Sequence, residues 1–161
     1  MERNHARRSA SIIQSPYIGF YALSNSVGDP KVPQSAFNTD AGYDLFLSRP
    51  AVIGPYEFVD VHTDLVLAMN SELWARITGR SSTIRKYGLH IQEGVIDPGY
   101  RGELFIGVKN LNPTVVELPV HTRIAQLIFH HRVSVQWHEL DRLEDLPQGE
   151  RGNNGFGSTG N

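Results

Sequence analysis

Asp97 stands directly before Pro98-Gly99, and Tyr100 directly after. Pro presets φ for a tight turn and Gly accepts positive φ, so these four residues read as a turn at the end of a strand. A carboxylate at such a turn can project into a pocket and act as a general base. The Tyr100 ring emerges on the other side, where it can stack on a sugar or a base. The competing reading is an ordinary hairpin, with Asp97 bonding backbone N–H groups and Tyr100 partly in the core.

Other groups have the composition of a phosphate grip. In Gly79-Arg80-Ser81-Ser82, a planar guanidinium lies beside two hydroxyls, between a strand and a candidate helix. That stretch reads equally as a helix cap beside a surface Arg. Asp44 sits inside the apolar run Ala41-Gly42-Tyr43-Asp44-Leu45, as a turn-bonding residue or as a partner for a hydrated cation. Gln126 is the one amide in Arg123–Ile128, as hydrogen-bonded core or as a ligand contact. The run 151–160, Arg-Gly-Asn-Asn-Gly-Phe-Gly-Ser-Thr-Gly, is too rich in Gly to hold a helix or strand unaided. Arg151 offers a fork for phosphate oxygens, Gly157-Ser158-Thr159 offers closely spaced N–H groups and hydroxyls, and Phe156 offers a flat face for a base.

Composition removes several other chemistries. The chain has no Cys, which excludes disulfides, thiolate metal sites and Cys nucleophiles. Its seven His show no His-x-x-x-His spacing, and His130-His131 would point to opposite faces of a strand. There is no Gly-x-Ser-x-Gly elbow and no Gly-x-x-x-x-Gly-Lys-Ser/Thr loop. With 15 Lys+Arg against 17 Asp+Glu, no basic field exists to hold a nucleic-acid polymer, so phosphate must be gripped locally. Apolar runs such as Leu65–Met69 fall far short of a membrane span, and no signal-peptide stretch follows Arg3, Arg7 and Arg8. A soluble cytoplasmic protein is expected, in the host cytoplasm if phage- or virus-encoded.

The elements that must hold these groups are short and β-rich. Strands are predicted at Tyr17–Leu23, Gly42–Leu47, Glu57–Thr63, Leu65–Met69, Leu73–Thr78, Gly102–Lys109, Thr114–Leu118, Ile124–His130 and Val133–His138. Gly28-Asp29-Pro30, Gly54-Pro55, Asp97-Pro98-Gly99 and Asn110–Pro113 punctuate them. One or two helical turns are predicted at Ser81–Tyr87, with Ser81 or Ser82 as the cap. At 161 residues this is one domain with one sizeable core, an all-β sandwich or barrel. The expected organisation is a disordered basic arm at 1–16, a β core at 17–140, a linker at 141–148 and a Gly-rich tail at 149–161.

Taken in order, five segments resemble the signature motifs of the homotrimeric dUTPase family: Ala41–Leu45, Gly79–Ser82, Gly94–Leu104, Arg123–Ile128 and Arg151–Gly160. The resemblance spans roughly residues 31–160. It implies a jelly-roll-like (β-clip) fold, a flexible C-terminal arm, and hydrolysis of dUTP to dUMP and pyrophosphate with Mg²⁺. Asp97 then matches the carboxylate that activates water for attack on the α-phosphorus. Tyr100 matches the ring that packs under the deoxyribose and excludes a 2′-hydroxyl. Arg80, Ser81, Ser82 and Gln126 match the phosphate-contacting motifs, and Asp44 matches an acid that reaches the metal through water. Gly94 and Ile96 fall in the base-binding stretch, where backbone groups of residues 91–96 select uracil. Phe156 resembles the ring stacked over uracil, and Arg151, Gly157, Ser158 and Thr159 resemble the grip on the outer phosphates. The family builds shared sites in a homotrimer, each site borrowing a neighbour's tail.

Some positions depart from the family pattern. The second motif lacks the Ala-Pro that often precedes its Arg-Ser, and Thr83 replaces a common Gly. Asp40 precedes Ala41, and Ile91 stands where some members carry Asn in the base-binding hairpin. A dCTP deaminase, or a bifunctional deaminase–diphosphatase, shares the fold and the Asp97 turn. Its catalytic Glu would fall at Gly107 here, which cannot shuttle a proton. A regulatory binding protein on a dUTPase scaffold is the alternative from a different class.

Overall fold

The computed structural model describes residues 17–23 and 28–149. The chain forms β1 (Ile18–Ala22), β2 (Gly42–Phe46), β3 (Ala51–Ile53), β4 (Phe58–His62), β5 (Leu65–Met69) and β6 (Leu73–Gly79). After helix α1 (Ser81–Tyr87) come β7 (Leu89–Ile91), β8 (Gly94–Ile96), β9 (Phe105–Asn110), β10 (Val116–Leu118) and β11 (Arg123–His131). The strand orders are β1-β5, β10-β3, β2-β11-β6-β8 and β4-β9-β7. Every pairing is antiparallel.

Period-2 patterning explains which faces meet. In β5, Leu65, Leu67 and Met69 are buried while Val66 and Ala68 are half-buried; β6 repeats this with Leu73, Ala75 and Ile77. These residues join Leu45, Ile106, Val108, Ile124 and Leu127 in one core. Each fully buried large aliphatic side chain contributes about 1.5–3 kcal/mol.

Two residues turn the chain from one sheet to another. Thr63 and Asp64 separate β4 from β5, and the Asp64 φ of 53° lies in the left-handed region that Asp tolerates better than most residues. β4 then pairs with β9, whereas β5 pairs with β1.

The helix has the predicted bounds but not the predicted cap. Arg80 is the N-cap residue and makes no side-chain cap bond, so Ser81 and Ser82 lie inside the first turn. Thr83 anchors the helix instead, donating its hydroxyl to the Ile124 carbonyl at 2.6 Å. Gly88 closes it at φ 61°, where a β-carbon would collide with Asn112.

One predicted strand needs correction. The strand predicted at Val133–His138 does not form; Val133, Val135 and Trp137 are 78%, 63% and 92% exposed. Their alternation is strand-like, but among the described residues no strand pairs with them, and unpaired backbone gives no ladder. Within residues 91–96, β7 pairs with β9 while β8 pairs with β6. The short strands β3 and β7 carry too few residues for an alternating pattern to reveal them. Every described residue from His131 to Gly149 is exposed.

Asn110 ties the β3–β4 turn to the β9–β10 loop from a fully buried position. Its amide nitrogen donates to the carbonyls of Ile53, Gly54 and Thr114 at 3.2, 2.9 and 2.8 Å. Its oxygen accepts from the Asn112 N–H at 2.9 Å. Asn110→Ala is expected to lower stability by about 3 kcal/mol, because several buried partners lose their bonds at once. A urea-denaturation midpoint checks this.

Candidate active site

One cavity of about 350 Å³ gathers Asp44, Arg80, Ser81 and Gln126. β2 and β11 are paired with Asp44 opposite Gln126, and β11 pairs in turn with β6, which delivers Arg80. Asp44 is buried, with its carboxylate gripped from both sides. The Arg80 Nε lies 2.6 Å from Oδ1, and an Arg123 guanidinium nitrogen lies 3.1 Å from Oδ2. Arg80 also donates to the Arg123 carbonyl at 3.2 Å. A guanidinium fixed at two places is pre-organised for an incoming phosphate.

Gln126 is both hydrogen-bonded and at the cavity wall. Its amide donates to the Gly79 carbonyl at 3.1 Å, which leaves a second N–H for a ligand. The side chain reaches this position only because residue 42 is Gly; a β-carbon there would meet the Gln126 amide carbon at 2.8 Å. Ser82 is half-buried in α1 and does not line this cavity.

A second cavity of about 290 Å³ holds Gly94, Ile96, Asp97 and Tyr100, with Glu103 and Phe105. The predicted turn is present, with the Tyr100 N–H bonded to the Asp97 carbonyl at 3.0 Å. The Asp97 side chain is exposed, and no hydrogen bond engages its carboxylate among the described residues. A carboxylate so placed can accept a proton from water. Tyr100 is 42% exposed, so its ring faces the cavity rather than the core. The two cavities are separate openings in a single chain. Asp97 and Tyr100 stand apart from Arg80, Ser81 and Gln126. Arg151, Phe156, Gly157, Ser158 and Thr159 lie outside the described residues.

Residues 29–160 match the family model for dUTPase. This chain belongs to the dUTPase family.

Among dUTPase relatives, the deoxyuridine 5′-triphosphate nucleotidohydrolase of swinepox virus is 35% identical over 91% of this chain and 99% of its own. The mouse enzyme of the same name is 37% identical over 74% of this chain and 72% of its own. A solved Staphylococcus bacteriophage 80alpha dUTPase with dUPNHPP superposes at a TM-score of 0.80 with 26% identity, covering 89% of this chain and 98% of that one. The fold is therefore the all-β, jelly-roll-like dUTPase fold.

Two residues within the motif segments have structural parts that sequence reasoning did not assign. Gly42 makes room for Gln126, and Arg123 shares Asp44 with Arg80. The ion pairs link residues far apart in the chain, so spacing alone could not reveal them. Position 107 bears on the deaminase alternative as well. A β-carbon there would sit 3.0 Å from Gln92 Cβ and 3.1 Å from the Phe58 ring, a tight fit that a larger side chain could enter only if these neighbours shifted.

Tertiary contact also creates a cluster beside the second cavity. Ligand atoms of His62, Asp64 and Glu103 lie within 4.8 Å of one another. The Arg49 guanidinium bonds the Asp64 carboxylate at 2.7 Å, so a positive charge already sits against it. Burial alone would raise the Asp64 carboxyl, but the bond and charge of Arg49, together with Ser48 and His62, outweigh it and hold the group below its ordinary value. A depressed folded-state pKa adds stability above the unfolded value of about 3.9, and that stability is lost as pH falls through the folded value. Asp64→Asn is therefore expected to destabilise the protein at neutral pH and to flatten the loss of stability below about pH 4. Urea unfolding of both proteins across that window checks the prediction.

Proposed function

We propose that the protein hydrolyses dUTP to dUMP and pyrophosphate. The observation that carries this reading is the cavity that pairs the unengaged Asp97 carboxylate with the exposed Tyr100 ring. The dUTP nucleotidohydrolase relatives and the phage relative solved with a dUTP analogue support it. Asp97 orients a water molecule and takes its proton. The water oxygen bonds the α-phosphorus, the bond from that phosphorus to the β-phosphate bridging oxygen breaks, and pyrophosphate leaves. Tyr100 packs under the deoxyribose, and the backbone at Gly94 and Ile96 meets the uracil. Arg80, Ser81 and the free Gln126 N–H hold phosphate oxygens, with Ser82 beside them. The chemistry needs positioning and charge neutralisation more than covalent catalysis. Arg151, Phe156, Gly157, Ser158 and Thr159 close over the base and outer phosphates.

The donor set suits Mg²⁺ in an outer-shell position. Each Asp44 oxygen carries one guanidinium and keeps lone-pair capacity for a metal-bound water. The metal would neutralise charge on the triphosphate.

The active unit is a homotrimer with shared sites. The phosphate-gripping cavity of one copy faces the Asp97–Tyr100 cavity of the next, which accounts for their separation within one chain. The exposed Val133-Val135-Trp137 stripe supports burial against a neighbouring copy. Sedimentation giving the mass of one chain would refute this assembly.

The deciding experiment follows pyrophosphate from dUTP, dCTP, dTTP and UTP with Mg²⁺, with ammonia measured in parallel. Release from dUTP alone, without ammonia, is the expected result. Ammonia from dCTP, or no turnover of any substrate, overturns the reading.

A further inference from the structure

Tyr100 does not set its own ring position. Its hydroxyl donates to the main-chain oxygen of Glu103 at 3.0 Å. The ring lies over Gly102, where a β-carbon would come within 2.5 Å of the ring carbon bearing the hydroxyl. The height of the ring above the cavity floor therefore follows the path of residues 102 and 103.

That path is held from behind by the Glu103 side chain. Its carboxylate is 12% exposed and turns towards the β4–β5 corner. It accepts the Asp64 N–H at 2.9 Å and lies 3.1 Å from His62 Nδ1. The corner itself is rigid. Asp64 is clamped by Arg49, and the Thr63 hydroxyl donates to the Leu104 carbonyl at 2.6 Å. The Phe105 ring packs edge-on against His62, with centroids 5.0 Å apart. A buried carboxylate persists only where such partners satisfy it, so its geometry is well defined. Asp64 and His62 thus connect through one residue to the ring that meets the sugar.

We propose that Glu103 is a positioning residue for sugar selection: its carboxylate, held by the Asp64 N–H and His62, fixes the main-chain oxygen that holds the Tyr100 hydroxyl. This rests on the reading that Tyr100 packs against the deoxyribose. Glu103 touches no substrate in this scheme. It acts by limiting how far the ring can drop to admit a 2′-hydroxyl.

The test compares kcat/KM for dUTP and for UTP in the full-length protein. Glu103→Ala is expected to lower the dUTP-to-UTP preference about tenfold, in the direction of Tyr100→Phe. Glu103→Gln keeps an oxygen for the Asp64 N–H and is expected to stay within about twofold of the parent ratio. The double variant Glu103→Ala/Tyr100→Phe is expected to be no less selective than the weaker single variant, because both remove one linkage. A folded Glu103→Ala protein with lowered Tm and an unchanged ratio overturns the proposal. Should Glu103→Ala not fold, His62→Ala decides: a fall of about threefold supports it and an unchanged ratio overturns it. A parent protein that does not distinguish dUTP from UTP removes the underlying reading, and the proposal with it. That result is visible before any variant is made.

Discussion

Asp97→Asn is expected to lower kcat for dUTP by about 10³-fold, the usual worth of a positioned general base. The amide matches the carboxylate in shape but cannot take a proton from water near neutral pH. The Asp97 side chain is exposed at the mouth of a tight turn, and no hydrogen bond from the described residues engages it. Folding should therefore change by no more than about 0.5 kcal/mol, as for other surface substitutions. Steady-state pyrophosphate release, paired with a thermal melt, separates the two effects. A variant that turns over dUTP at the parent rate would remove Asp97 from the reaction. A variant that is inactive because it is unfolded would show that the carboxylate holds the turn.

Removing residues 150–161 is the second large effect. It is expected to reduce kcat/KM for dUTP about a hundredfold or more, because on the proposed reading the groups lost position the triphosphate and shield it from water. The strands end at His131, and every described residue from there to Gly149 is exposed. On the reading of 151–160 as a Gly-rich tail, stability is expected to hold within about 0.5 kcal/mol. Activity assays and urea unfolding on the same preparation test both halves. Marked unfolding would place the segment in the core. Full activity would remove Arg151, Phe156, Ser158 and Thr159 from the site.

Much of the local structure was legible because local physics decides it. The Pro98-Gly99 turn appears where these residues stand, closed by the Tyr100 N–H to the Asp97 carbonyl, with Gly99 outside the positive-φ region. The helix at Ser81–Tyr87 matches its predicted span, although its cap does not. Strands β5 and β6 follow their period-2 burial, whereas β2 buries Asp44, Leu45 and Phe46 in succession. Val133–His138 has the same alternation yet forms no strand, because a ladder needs a neighbour and none of the described strands pairs with it. β3 and β7 are the converse: three residues carry little pattern, and their partners β10 and β9 define them.

The sequence by itself determined residue chemistry, the turns, the all-β class and, through five ordered motifs, the family. Those properties reside in residue types and short spacings. Only the tertiary structure decided that Asp44 is shared by Arg80 and Arg123, that Gly42 makes room for Gln126, and that Glu103 ties Tyr100 to the Asp64 corner. It alone placed the Asp97 and Arg80 groups in separate cavities. The physical reason is that such contacts join residues dozens of positions apart. Their geometry is set by strand pairing and side-chain packing, which no local window of sequence contains.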